Sequence, residues 1–281
     1  MHEGPSRTAL IVAIGRGIHR RDDAAPFVFD DPFALPLAGP SWPEVERLMR
    51  AVIPPELFPQ AGAALLARAR VAEDRLLGGG FAQYVVLGAG LDSFAWRRPD
   101  VVRDVVVFEI DHPESQAYKL ARAAELALPV HDNHRFVAVD FERQTLAEAL
   151  DSCGFDWAAP TLFSWLGVTM YLSREAIDAT LQTVARCGRG SEIVFSYGVA
   201  TEERDAFGEA FAETFGAVAA ASGEPFQSWF GYDAIEQVVT AAGLRVADHP
   251  SRADMHQRYF SGRNDALTPI SAERVLVAAV G

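Results

Sequence analysis

The sequence predicts an α/β fold: a Rossmann-like, doubly wound sheet of seven strands, mostly parallel with an antiparallel last strand. A helical N-terminal addition and a lid insertion accompany the sheet. Three observations predict it. Residues 84–92 read Tyr-Val-Val-Leu-Gly-Ala-Gly-Leu-Asp, an apolar strand running straight into a glycine turn. A second apolar strand follows and ends in Glu109 and Asp111. The centre of the chain then alternates near-continuous apolar runs with helical patterns, which implies a parallel sheet covered on both faces.

The elements follow in order. Residues 1–80 precede the first core strand, read as mostly helical, and carry a proline-rich section at 32–59. Such an addition suits the carboxyl edge of the sheet, where open α/β folds bind ligands. Strands are expected at 83–87, 104–110, 134–139, 161–165 and 191–197, with helices at 113–128, 143–153 and 173–187. Ser173 is placed to cap the last of these, and Glu175 complements its dipole. The stretch 201–231, rich in Ala, Glu and Phe, reads as lid helices. A helix at 232–242 ends at Gly243 in a left-handed cap. Strands at 244–248 and 274–280 close the sheet, separated by a long polar segment. The cap, 1–80, and the ligand-binding domain, 81–281, are expected to form one compact unit.

At 281 residues and 49% apolar composition, the chain can bury a large core. Its 25 basic and 38 acidic side chains give a net charge of -13. No basic stripe appears, which argues against nucleic acid and against an anionic membrane surface as partners. Cys153 and Cys187 show neither metal-site nor redox-motif spacing, so free thiols in a reducing cytoplasm are expected. The early apolar run at 8–14 is too short for a membrane span and lacks a signal-peptide cleavage context. These readings place the protein in the cytoplasm. Its oligomeric state stays open, a homo-oligomer included.

The glycine turn narrows the ligand. A dinucleotide fingerprint needs a third glycine to pack helix against strand, and Ser93 stands near that place. No lysine follows to make a phosphate-binding loop. A short G-x-G turn with acid after the next strand fits S-adenosylmethionine better than NAD. The glycines admit close backbone approach, and the acid can accept both ribose hydroxyl protons. The alternative is a plain αβ turn that needs positive φ at a glycine.

Beyond these features, the chain resembles the class I S-adenosylmethionine-dependent methyltransferases. Within them it is similar to the leucine carboxyl methyltransferase family, which includes polyketide carboxyl O-methyltransferases. The stretches that carry the resemblance run from Thr8 to the C-terminus. They are Asp30-Asp31-Pro32-Phe33-Ala34, Arg68-Ala69-Arg70, 83–92, Phe108-Glu109-Ile110-Asp111-His112-Pro113, Asp140-Phe141 and Met170-Tyr171-Leu172. The resemblance implies that Gly88, Ala89 and Gly90 line the methionine moiety. It also implies that Asp111, with Glu109, holds the ribose, and that Asp140 and Phe141 meet the adenine. Arg68 would pair with the methionine carboxylate. Asp140 could instead cap the next helix, and Arg68 and Arg70 could be solvated helix charges. One departure stands out: Leu166 occupies the place where many members carry a glutamate.

Methyl transfer from a sulfonium mainly requires positioning and exclusion of water. A carboxylate acceptor is ionised at neutral pH and needs no base, whereas a phenol does. The sequence offers no His/Asp pair with helpful spacing and no metal-ligand cluster, and Tyr171 and His112 are its only candidate catalytic groups. A small, acidic acceptor of secondary metabolism is therefore expected. Arg16, Arg20, Arg258, Tyr259 and Arg263 are candidates to contact it. The alternatives are a phenol acceptor, a protein C-terminus, or a non-catalytic nucleotide-binding protein.

Overall fold

The computed structural model describes residues 6–141, 143–221, 223–265 and 267–281. Four helices open the chain: α1 (Arg7–Asp22), α2 (Ala34–Ala38), α3 (Trp42–Val52) and α4 (Phe58–Gly79). The core then alternates β1 (Gln83–Leu87), α5 (Phe94–Arg97), α6 (Pro99–Val102), β2 (Val106–Asp111), α7 (Pro113–Glu125), β3 (His134–Ala138), α8 (Leu146–Ser152), β4 (Thr161–Trp165), α9 (Arg174–Ala185) and β5 (Glu192–Gly198). It ends with α10 (Ala206–Ala221), α11 (Tyr232–Ala241), β6 (Leu244–Asp248), α12 (Arg252–Tyr259) and β7 (Glu273–Val280).

The seven strands are ordered β3-β2-β1-β4-β5-β7-β6. All pairings are parallel except those of β7, which runs antiparallel to both β5 and β6. The expected sheet is therefore present, with strand ends shifted by one or two residues. Ser173 caps α9 by accepting the Ala176 N–H. Gly243, just past α11, has φ +89.

Side chains alternate between two cores, as a parallel sheet covered on both faces requires. Val85, Leu87, Phe163 and Phe195 pack against Leu150 of α8, Leu181 of α9 and Val238 of α11. Tyr84, Val86, Leu162 and Val194 pack on the other face against Ala63, Leu66 and Val71 of α4. Helix α4 thus belongs to the sheet's own core, while α1 to α3 form a separate apolar cluster that rests on Leu91 and Trp96. The lid stretch holds one long helix, α10, where several were expected. The polar segment between β6 and β7 contains α12, whose N-terminus is closed by a Ser251–Asp254 capping box that sequence reading missed. No helix among the described residues is long and apolar enough to cross a membrane.

A buried charge cluster braces the β2 edge. Glu109 accepts from Lys119 of α7, and its other oxygen lies 2.9 Å from His134 Nε2 of β3. The Lys119 ammonium sits 5.4 Å from the centre of the Trp96 ring. Burial pushes the Glu109 carboxyl up, but the Lys119 charge and the His134 contact hold it below its ordinary value. A depressed carboxylate stabilises the fold above its unfolded pKa, and that contribution is lost as pH falls through the folded value. Lys119→Met should therefore cost about 3–5 kcal/mol at neutral pH, because an uncompensated charge stays buried. The penalty should shrink as pH falls, beginning above the ordinary glutamate value of about 4.3, because burial without Lys119 raises the Glu109 carboxyl in the variant. Urea denaturation of both proteins across that range measures it.

Candidate active site

The carboxyl ends of β1, β2, β4 and β5 open onto one cavity of about 400 Å³. Its floor is the turn after β1. The backbone leaving Leu87 stays tied to the next strand, because the Gly88 and Ala89 N–H groups both donate to the Ile110 carbonyl, at 2.9 and 3.2 Å. Gly88 and Gly90 have φ +68 and +51. A Cβ on Gly88 would lie 2.7 Å from Val168, and one on Gly90 would lie 3.0 Å from Ala9 of α1. Both glycines are thus demanded by conformation and by close neighbours.

Asp111, the last residue of β2, accepts from the Gly90 N–H and from its neighbour His112 N–H. It lines the cavity. Burial pushes its carboxyl above the ordinary value, against the opposing pull of those two backbone donors. His112 also lines the cavity, but its Nδ1 accepts the Glu114 N–H as the cap of α7.

Arg68 projects from the middle of α4 and is only 7% exposed. Its Nη1 donates to Glu273 Oε1 at 2.6 Å. Its Nη2 lies 2.5 Å from where a Cβ on Gly167 would be, so the guanidinium rests on bare backbone after β4. Glu273 is the first residue of β7 and pairs with Gly198, the last residue of β5. The reversed direction of β7 is what brings its leading residue to the ligand edge of the sheet. Leu166, which precedes Gly167 and holds the place where many members carry a glutamate, lines the same cavity. A carboxylate is present, supplied from β7.

The roof is aromatic. Phe211 and Phe215 of α10 stack at 4.2 Å and both line the cavity. Phe226 contacts Tyr171 at 5.2 Å and Trp229 at 5.4 Å between ring centres. This segment is fastened to the turn after β4, since the Gln227 N–H donates to the Met170 carbonyl at 2.6 Å. Glu224 accepts from the hydroxyls of Ser6 and Thr8 at 3.2 and 2.9 Å, joining the start of α1 to the end of the lid. Burial pushes the Tyr171 phenol up to about 12.

Of the residues singled out from sequence, Arg16, Arg68, Gly88, Ala89, Gly90, Asp111, His112 and Tyr171 all line this cavity. Arg16 is committed to the scaffold, donating to Asp31 at 2.9 Å and to the Leu91 carbonyl at 2.8 Å. The others lie elsewhere. Glu109 faces Lys119 and His134. Asp140 lies beyond β3 beside Arg143, and Phe141 is exposed. Arg20 pairs with Asp30, Arg258 with Asp248, and Arg263 with Asp265. Tyr259, at the end of α12, donates to Asp74 at 3.1 Å. The polar segment holds α12, which meets α4 through Met255 and Tyr259, and Arg263 lies in the turn beyond it. Among the described residues, no group of three or more His, Cys, Asp or Glu side chains could hold a metal ion.

Residues 9–185 match the leucine carboxyl methyltransferase family. The Bacillus subtilis (strain 168) protein named "Putative S-adenosyl-L-methionine-dependent methyltransferase YktD" is 31% identical over 288 residues, covering 94% of each chain. The crystal structure of a "putative methyltransferase" from Thermobifida fusca YX superposes with a TM-score of 0.63 at 14% identity, covering 99% of this chain and 96% of that one. A DUF574 family protein from Streptomyces avermitilis MA-4680 superposes with a TM-score of 0.60 at 14% identity, covering 96% and 97%. The structural likenesses establish the shared fold. The chain belongs to the leucine carboxyl methyltransferase family.

The Arg68–Glu273 pair generates a test. Glu273→Leu should lower folding stability by about 3–5 kcal/mol, because Arg68 keeps its charge in a buried place. Adding Leu166→Glu to that variant should recover at least half of the loss, since position 166 lines the same cavity and precedes Gly167, on whose backbone that guanidinium rests. Urea denaturation of the single and double variants checks it. A double variant no more stable than Glu273→Leu would show that the two positions do not share Arg68.

Proposed function

We propose that this enzyme, an S-adenosylmethionine-dependent methyltransferase, methylates a carboxylate oxygen of a small apolar acid. The cofactor fits the residues present: the glycine turn leaves bare backbone where a Cβ would collide, and Asp111 and Arg68 face the same space. In this reading Gly88, Ala89 and Gly90 line the methionine moiety and Asp111 accepts from the ribose hydroxyls. The free N–H groups of Arg68 take the methionine carboxylate. When bound, the cofactor supplies an electrophilic methyl group on a sulfonium.

The observation that carries the acceptor assignment is that, among the described residues lining the cavity, neither Tyr171 nor His112 is placed as a base, and Glu224 is held by the Ser6 and Thr8 hydroxyls. Tyr171, pushed up to about 12, stays protonated near neutral pH and is no base there. His112 spends one ring nitrogen on the cap of α7 and is exposed beside Asp111. A carboxylic acid needs neither. The roof formed by Phe211, Phe215, Phe226 and Trp229 excludes water and provides an apolar chamber for the acceptor's body. An anion and a cation held in such a place lose hydration, and their conversion to a neutral ester is favoured accordingly. The family's polyketide carboxyl O-methyltransferases support an acceptor of secondary metabolism. Arg20, Arg258 and Arg263 take no part, being paired outside the cavity.

A pH–rate profile with labelled cofactor and mass-spectrometric mapping of the product test this reading. The rate should hold down to about pH 4–5, where the acceptor itself takes up a proton. A rate that falls below about pH 6.5, with the methyl on a phenol, would replace the carboxylate by a phenol and a histidine base.

A further inference from the structure

A second cavity of about 260 Å³ opens between α1, α3 and α4. Its walls are mostly apolar, including Ile18 of α1, Met49 of α3, and Ile53 just past that helix. It is not isolated. Ile11, Ala61, Leu65 and Phe215 line both this cavity and the main one, so one layer of apolar side chains separates or joins them. Phe215 is the lid's member of that layer: it is half-buried on the lid helix, stacks on Phe211 and packs against the N-terminal apolar cluster. The main cavity, at about 400 Å³, lies near the lower end of the roughly 300–1,000 Å³ that suits one drug-sized ligand, yet it must hold cofactor and acceptor together.

We propose that this second cavity is the tail site of the acceptor, and that it takes an unbranched alkyl chain passing between Leu65 and Phe215. The inference rests on the carboxylate reading above for the reacting end, but the chain site stands on its own walls. The acceptor class is then a medium- to long-chain alkyl carboxylic acid, its head under Tyr171 and Trp229 and its tail among α1, α3 and α4. Asp22, Asp23 and Arg50 also line it, so the chain's end reaches polar surroundings.

Gly62 of α4 lines the tail site and not the main cavity. A Cβ there meets nothing nearer than Leu267 at 3.9 Å, and leucine is a better helix former than glycine, so Gly62→Leu fills the space without disturbing the helix. Calorimetry on protein loaded with S-adenosylhomocysteine would compare hexanoate, decanoate and dodecanoate. Affinity should rise about fourfold for each methylene buried. In Gly62→Leu, and in Ile18→Phe on the facing helix, S-adenosylhomocysteine binding should persist while the gain with chain length disappears. Affinity that is flat with length in the natural protein, or a gain that survives both filling variants, would overturn the tail site. Acids that become methylated with no length dependence would overturn it too while upholding the carboxylate reading. Alkyl alcohols and acids that share the length dependence, with no methyl ester formed, would uphold the tail site and remove the carboxylate reading.

Discussion

The bond from the Gly90 N–H to the Asp111 carboxylate is the constraint on which the rest of the site depends. It joins the turn after one strand to the tip of the next, on top of the two N–H groups that already hold the turn to Ile110. With the turn fixed, Val168 can close on Gly88 and Ala9 on Gly90. The N-terminal helices are fastened to the same turn. Asp31 accepts from Arg16 and from Ser93, and Arg16 also donates to the Leu91 carbonyl. Ser93, which stands near a dinucleotide fingerprint's third glycine, uses its hydroxyl to tie the cap to the sheet. The cavity's floor and its N-terminal cover are one hydrogen-bonded unit.

The opposite wall is set by topology. Because β7 enters the sheet antiparallel to β5, its first residue arrives where parallel strands end. Glu273 is thereby delivered to Arg68 across 205 residues of chain separation. A buried pair of this kind adds little net stability compared with apolar packing, but removing one member is expensive. The pair orients a cation at the head of the cavity and leaves the rest of its donors for a ligand.

Much of this was legible in the sequence, and the reasons for the exceptions are physical. The strands and the helices between them followed from apolar runs, helical spacers and the glycine turn, all of which are local signals. The turn residues, Asp111 and Arg68 were placed on the cavity wall because strand ends and the helix before β1 converge there. Glu273 was invisible, since only the reversed strand brings it in. Arg258, Tyr259 and Arg263 were expected at an acceptor loop, but a capping box at Ser251 and Asp254 turns that segment into a helix, and each side chain finds a near neighbour to bond. Glu109 shares the strand face of Asp111, yet Lys119 of the next helix reaches it from behind. Periodicity shows which face a residue takes, but not which partner meets it.

Calorimetric titration of the natural protein and Asp111→Ala with S-adenosylhomocysteine and with NAD tests the central claim most directly. The account predicts that the natural protein binds S-adenosylhomocysteine and gives no heat with NAD. It predicts that Asp111→Ala stays folded and binds about 1–3 kcal/mol more weakly, having left ligand hydroxyls and the Gly90 N–H without their acceptor. Binding of NAD without response to S-adenosylhomocysteine, or unchanged affinity in Asp111→Ala, would contradict it.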